Sequence, residues 1–250
     1  MLKKRIIACM DIQDGEVVKG INFIDIQRAG DPIALAKRYA VEGIDELVFL
    51  DITATIENRK TLISLVSKIA SEINIPFTVG GGISTKEQAV ALVRAGADKI
   101  SINSAAIKRP ALITEIAEEL GSQCVVVAID TKFEDGKWWV YSAGGRIKTS
   151  LETEQWADEV ARLGAGEILL TSMNNDGTKE GFALDITKQV ANKVTIPVIA
   201  SGGAGEVRHF EEVFENTKAT GALAASIFHY GEVSVSELKQ TLKNKNIAIR

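Results

Sequence analysis

A closed parallel α/β barrel of the (β/α)8, or TIM, type is the fold class predicted for this 250-residue chain, on three observations. Short apolar runs of strand length alternate with longer stretches of helical spacing along the whole sequence. Most of those runs are β-branched and apolar throughout, as the strands of a parallel sheet covered on both faces must be. Eight strand-helix units in 250 residues suit a closed barrel rather than an open sheet.

The eight strands are predicted near residues 5–11, 46–51, 76–80, 98–103, 124–130, 167–171, 196–201 and 221–226. DIQDGEVVKG follows the first strand where a doubly wound dinucleotide-binding sheet, the main rival, would place Gly-x-Gly-x-x-Gly. Residues 17–31 read as a long loop able to close over a substrate, with Lys19 in reach of a phosphate. AIKRPALITEIAEEL and LETEQWADEVARL carry helical spacing, and DGKWWVYSAGGRIKTS reads as a hairpin whose Gly144-Gly145 can touch a ligand.

The two halves of the chain echo each other. RIIACMDIQDG answers VVVAIDTKFEDG and aligns Asp11 with Asp130 at a separation of 119. DELVFLDIT answers GEILLTSMN, and FTVGGGIS answers VIASGGAG, so Glu46 aligns with Glu167 and Gly81-Gly82 with Gly202-Gly203 at 121. DKISINSAA answers GALAASIFH, aligning Ser104 with Ser226 at 122. Four matches in one order at an offset of about 120 predict a single barrel over 1–250 with an internal twofold repeat, its half-barrels about 1–122 and 123–250.

Composition narrows the function. A net charge of −4, from 33 acidic against 29 basic residues, supplies no broad cationic surface for a nucleic-acid backbone. No apolar stretch approaches the roughly 18–20 residues that cross a bilayer, and the N-terminus turns charged before a secretion-type apolar core forms. Cys9 and Cys124 lie in apolar runs, where cysteine is usually a small buried hydrophobe. A soluble, uncleaved, cytoplasmic chain is expected, with neither nucleic acid nor membrane as partner.

In such barrels the chemistry sits where the strands end. Gly80-Gly81-Gly82 and Ser201-Gly202-Gly203 leave backbone N–H groups uncovered, and the strands beside them end in Asn103-Ser104 and Ala225-Ser226. One glycine pair would read as a tight turn. Two pairs related by the repeat predict two phosphate cradles across one mouth, and so a substrate with a phosphate at each end. Thr171 and the turn Asp176-Gly177-Thr178 fall near the same mouth, with Asp51 as a supporting residue. Asp11 and Asp130 close apolar strands between the cradles. Either alone would read as a loop or helix cap; as a matched pair they suit a general base and a general acid. The two histidines, His209 in a helix and His229 beyond the last strand, offer no metal cluster or histidine triad, so no metal is expected.

At the opposite end of the strands, period-two counting turns Arg5 and Lys99 inward, while Glu46 and Glu167 begin their strands. Together they predict a ring of alternating charge across the barrel floor. Floor charges usually only stabilise. Small candidates for the interior, Ser101, Ala128 and Ala200, leave room for a passage from floor to mouth.

At these residues the chain resembles the cyclase subunits of imidazole glycerol phosphate synthase, the barrel lyases of histidine biosynthesis. The likeness spans essentially the whole chain through KRIIACMDI, DGEVVKG, DELVFLDITA, IPFTVGGGI, GADKISINSAA, GSQCVVVAID, GAGEILLTSMNNDGTKEGF, IPVIASGGAG and ALAASIFH. NTKATGALAAS departs from the family pattern, which predicts a reshaped and slightly longer seventh helix. The resemblance implies that Asp11 and Asp130 are the catalytic pair. It implies the bis-phosphorylated substrate phosphoribulosyl-formimino-aminoimidazole carboxamide ribonucleotide, and no cofactor. Lys19, Gly82, Asn103, Ser104, Thr171, Asp176, Gly177, Gly202, Gly203, Ala225 and Ser226 would bind it. Ammonia would come from a separate glutaminase subunit on the N-terminal barrel face, through a gate of Arg5, Glu46, Lys99 and Glu167. A sister isomerase barrel of the same pathway, a paralogue that amidates nucleotide sugars, and a non-catalytic scaffold are the alternatives.

Overall fold

The computed structural model describes residues 2–13, 16–21, 24–51 and 63–250, with the side chains of 19–29 outside the description. Eight parallel strands close a ring: β1 (Arg5–Gln13), β4 (Glu46–Asp51), β5 (Phe77–Gly80), β6 (Lys99–Ile102), β7 (Val125–Glu134), β10 (Glu167–Ser172), β11 (Val198–Ser201) and β12 (Gly221–Ala224). They neighbour each other in that order, and β12 returns to β1. Around them run α1 (Pro32–Glu42), α2 (Ile63–Glu72), α3 (Lys86–Arg94), α4 (Ser104–Lys108), α5 (Ala111–Leu120), α6 (Thr153–Arg162), α7 (Leu184–Lys193), α8 (Val207–Asn216), α9 (Ser226–His229) and α10 (Val235–Asn244). Among the described residues no helix is long and apolar enough to cross a membrane.

Strand alternation divides the core in two. Ile6, Ala8, Met10 and Ile12 of β1 pack outward with Tyr39, Leu112, Trp156 and Phe210 from the helices. Ile7 and Cys9 point inward with Val48, Val126, Leu169, Ile199 and Leu223, and these fill the barrel's own interior. Each fully buried aliphatic or aromatic side chain contributes about 1.5–3 kcal/mol, so the outer layer carries most of the stability. Ala200 belongs to the outer layer, contrary to its expected place in the interior. Its neighbours Ile199 and Ser201 take the inward phase, and a one-residue change of phase reverses the face.

Three local expectations change. Residues 17–31 are not a plain loop: β2 (Glu16–Ile21) pairs antiparallel with the end of β1 and with β3 (Ile24–Gly30), as β-branched Val17 and Val18 allow. Lys19 lies in β2 by its backbone, and its side chain is outside the described residues. AIKRPALITEIAEEL forms two helices, α4 and α5, because Pro110 disfavours helical backbone at Arg109. The hairpin after β7 becomes a three-stranded ribbon with β8 (Lys137–Ser142) and β9 (Ile147–Glu152), and β9 absorbs the Leu151 and Glu152 expected to be helical. α8 has 10 residues, as α6 and α7 do. Thr217 ends it: its hydroxyl donates to the Val213 carbonyl at 2.6 Å and accepts from the Ala219 amide at 3.1 Å.

Candidate active site

β1 and β7 stand four places apart in a ring of eight, so Asp11 and Asp130 rise from opposite walls. There each strand keeps one parallel neighbour, Asp11 beside Leu50 and Asp130 beside Thr171, and takes up an antiparallel ribbon on its other edge, pairing Asp11 with Val18 and Asp130 with Tyr141. The glycine turns after β5 and β11 also face each other, on an axis a quarter turn from that of the acids. All of these groups line one cleft of about 500 Å³ at the C-terminal ends of the strands.

The turns are built alike. Gly81 has φ +95° and Gly202 φ +90°, where side chains are strained. A Cβ would lie 2.2 Å from the Asp51 carbonyl oxygen at Gly81 and 2.6 Å from that of Ser172 at Gly202. Asp51 and Ser172 are themselves 121 apart, so the close approach repeats with the chain. Asn103 and Ala225, just before Ser104 and Ser226, share an unusual backbone, φ −132°, ψ −90° against φ −126°, ψ −76°.

Side chains at that matched position separate the two acids. Asn103 Nδ2 donates to Asp130 Oδ2 at 2.9 Å, whereas Ala225 has nothing to offer at the same place in the repeat. Desolvation pushes the Asp130 carboxyl up from 3.8 to about 7; the Asn103 hydrogen bond works against the rise, and the nearby Asp176 carboxylate adds to it. Cys9 Sγ lies 3.7 Å from Asp11 Oδ1. Asn103 Oδ1 is buried and accepts no hydrogen bond from the described residues.

Gly82, Asn103, Ser104, Thr171, Asp176, Gly177, Gly202, Gly203, Ala225 and Ser226 all line the cleft, as do Asp51 and Gly144. Two cations that the sequence reading missed join them, Lys108 of α4 and Arg146 of the β8–β9 turn. The Ala143 amide donates to Ser104 Oγ at 2.9 Å and holds that turn over the mouth. Arg146 follows the noted Gly144-Gly145 directly, which was the available signal for it.

At the floor, Arg5, Glu46, Lys99 and Glu167 close a ring. Arg5 Nη1 donates to both Glu46 oxygens at 3.1 Å and Nη2 to Glu167 at 2.5 Å. Lys99 Nζ donates to Glu46 at 3.1 Å and to Glu167 at 2.8 Å. Just above the ring, Gly221 makes room for the first apolar layer, since a Cβ there would stand 3.0 Å from Ile7 Cδ1 and 3.2 Å from Ile199 Cγ1. Desolvation works against the charged form of Glu46, but Arg5 and Lys99 outweigh it and lower the carboxyl below its ordinary value. Arg250, also unanticipated, reaches Glu46 at 3.2 Å.

A model of the histidine biosynthesis protein family matches residues 5–234. Full-length relatives named imidazole glycerol phosphate synthase subunit HisF share 56% identity in Flavobacterium johnsoniae, 55% in Geobacillus kaustophilus and 55% in Streptococcus mutans, each covering 100% of both chains. The chain belongs to the HisF family. HisF is the lyase-type cyclase subunit of imidazole glycerol phosphate synthase, so the barrel, the histidine-pathway role and the existence of a partner subunit agree with the family identified from sequence.

Proposed function

We propose that this barrel makes imidazole glycerol phosphate and aminoimidazole carboxamide ribotide from phosphoribulosyl-formimino-aminoimidazole carboxamide ribonucleotide and ammonia, with Asp11 and Asp130 as its proton-transfer pair. The observation that carries the reading is the crossing of two axes at one mouth: a chain anchored at both glycine turns passes between the two carboxylates. Gly82, Asn103 and Ser104 would hold one phosphate, with Lys108 and Arg146 adding charge nearby. Gly177, Gly202, Gly203, Ala225 and Ser226 would hold the other. Lys19 would reach in from β2, and Thr171 and Asp176 would position the middle of the substrate.

Ammonia adds to the ribulosyl carbonyl; in two steps, through a carbinolamine, the oxygen gains two protons and the nitrogen loses two, so that water leaves as the imine forms. Ring closure and C–N cleavage then release two monophosphates, so one ammonia enters for each water lost. A carboxyl that titrates at about 7 can give or take a proton near neutrality, which suits Asp130 to the oxygen. Asp11, on the opposite wall, would serve the nitrogen.

The partner subunit would be a glutaminase seated on the N-terminal face of a single barrel formed by two half-barrels. Its ammonia would enter through the ring of Arg5, Glu46, Lys99 and Glu167. Lys99 is 20% exposed while both glutamates are at 7% or below, so it is the member that can swing aside with least rearrangement. A cytoplasmic location goes with this reading.

The test is turnover of the purified chain alone with the bis-phosphate and ammonium at alkaline pH, where ammonia is abundant. Release of both products without a partner is expected. A folded chain that releases neither would refute the proposal.

A further inference from the structure

The two glycine turns are each followed by a helix whose third residue reaches back to the backbone that joins the turn to the helix. GGGISTKEQ (80–88) aligns without a gap on SGGAGEVRH (201–209), which matches Gln88 with His209 at 121. In the first half, Gln88 Oε1 accepts from the Ser84 amide at 2.8 Å and from its hydroxyl at 3.3 Å. In the second, His209 Nδ1 accepts from the Gly205 amide at 3.0 Å and from the Glu206 amide at 3.3 Å. Ser84 and Gly205 occupy the same place in the repeat. Different side chains therefore make the same bond at the same point.

The second turn is the more tightly built. His209 is 4% exposed, with its ring against Gly181 and Nε2 3.6 Å from Glu206 Oε1. A Cβ on Gly205 would lie 2.3 Å from the Lys179 carbonyl, so position 205 has no space for a hydroxyl like that of Ser84. With Nδ1 accepting, the ring must carry its hydrogen on Nε2. Neither Gln88 nor His209 lines the cleft.

We infer that Gln88 and His209 are paired positioning residues, each fixing one glycine turn so that its amides converge on one phosphate of the substrate. This rests on the two-cradle reading above. Each acts through the turn it holds, and neither touches the ligand. Losing such a bond leaves the turn amides in place but less ordered, so binding at one end suffers before the chemistry at the centre does.

The experiment uses the full chain, with ammonium and the bis-phosphate for kinetics and the two monophosphate products as separate competitive probes. H209A should raise KM about ten-fold with a smaller fall in kcat, and should weaken one product about ten-fold while leaving the other within about two-fold. Q88A should do the same to the opposite product. H209Q, which borrows the residue of the first half, should restore wild-type values. Weakening of both products by either variant, or an H209Q no better than H209A, overturns the inference. Should H209A fail to fold, Q88A decides by weakening one product or both, and H209Q by matching or missing wild-type values. If neither product competes in the wild-type chain, the cradle reading itself fails, an outcome distinct from loss of the pins alone.

Discussion

The floor and the mouth of the barrel are made from the same strands under the same alternation, yet they treat charge in opposite ways. At the floor each glutamate meets both cations, and Glu46 titrates below its ordinary value. At the mouth Asp130 accepts from a neutral amide, faces a second carboxylate and titrates upward to about 7. A floor whose charges satisfy one another is a lock; a mouth whose acid holds a proton near neutrality is equipped for chemistry. The difference comes from what stands opposite each carboxylate, since both ends carry acids on inward-facing strand positions.

The largest expected effect is at the mouth. Asp11→Asn or Asp130→Asn should each lower kcat by about a thousand-fold in the ammonium assay, the scale of a lost proton-transfer group. At the floor the damage should be to stability. Glu167→Ala leaves buried Arg5 short of a partner, and urea unfolding should show a loss of about 3 kcal/mol. An unchanged unfolding midpoint would mean that the ring is not a lock.

Opposite pKa directions imply opposite pH dependence. The folded-state pKa of Asp130 lies above its unfolded value, so the folded chain holds an extra proton between about 4 and 7 and this contribution fades as pH rises through that window. Asp130→Asn should therefore stabilise the protein by about 2 kcal/mol at pH 8, a figure reduced for the partial exposure of the group, and by almost nothing at pH 4. Glu46 has the reverse sign. Its contribution is present above the unfolded carboxylate value and is lost as pH falls through the lowered folded one, so Glu46→Gln should flatten the acid side of the stability curve. The smallest effect is at the rim. Lys108→Met with Arg146→Met should raise KM a few-fold, more at low salt than at high, since exposed cations are screened.

Much of this was legible in the chain because repetition made weak signals add. Asp11, Asp130 and the glycine pairs end apolar runs, and each recurs about 120 residues on. In the floor ring, strand phase turns Arg5 and Lys99 inward, and Glu46 and Glu167 open their strands at the same end. Arg146 escaped because its approach depends on the β8–β9 turn meeting Ser104, a contact between segments far apart in sequence. Arg250 escaped because the last residues pair beside Lys4, which periodicity within the strands does not reveal. The β2–β3 ribbon does not show in the local sequence because it is stabilised by pairing with the extended end of β1, a tertiary condition rather than a local preference.

The most direct measurement is a crystal structure of the chain with the intact bis-phosphate in the mouth, trapped in the Asp130→Asn variant. One phosphate should lie against the amides near Gly82, the other against those near Gly203, with the ribulosyl carbonyl between positions 11 and 130. Both phosphates on one side of the barrel, or a carbonyl remote from either carboxylate, would contradict the account.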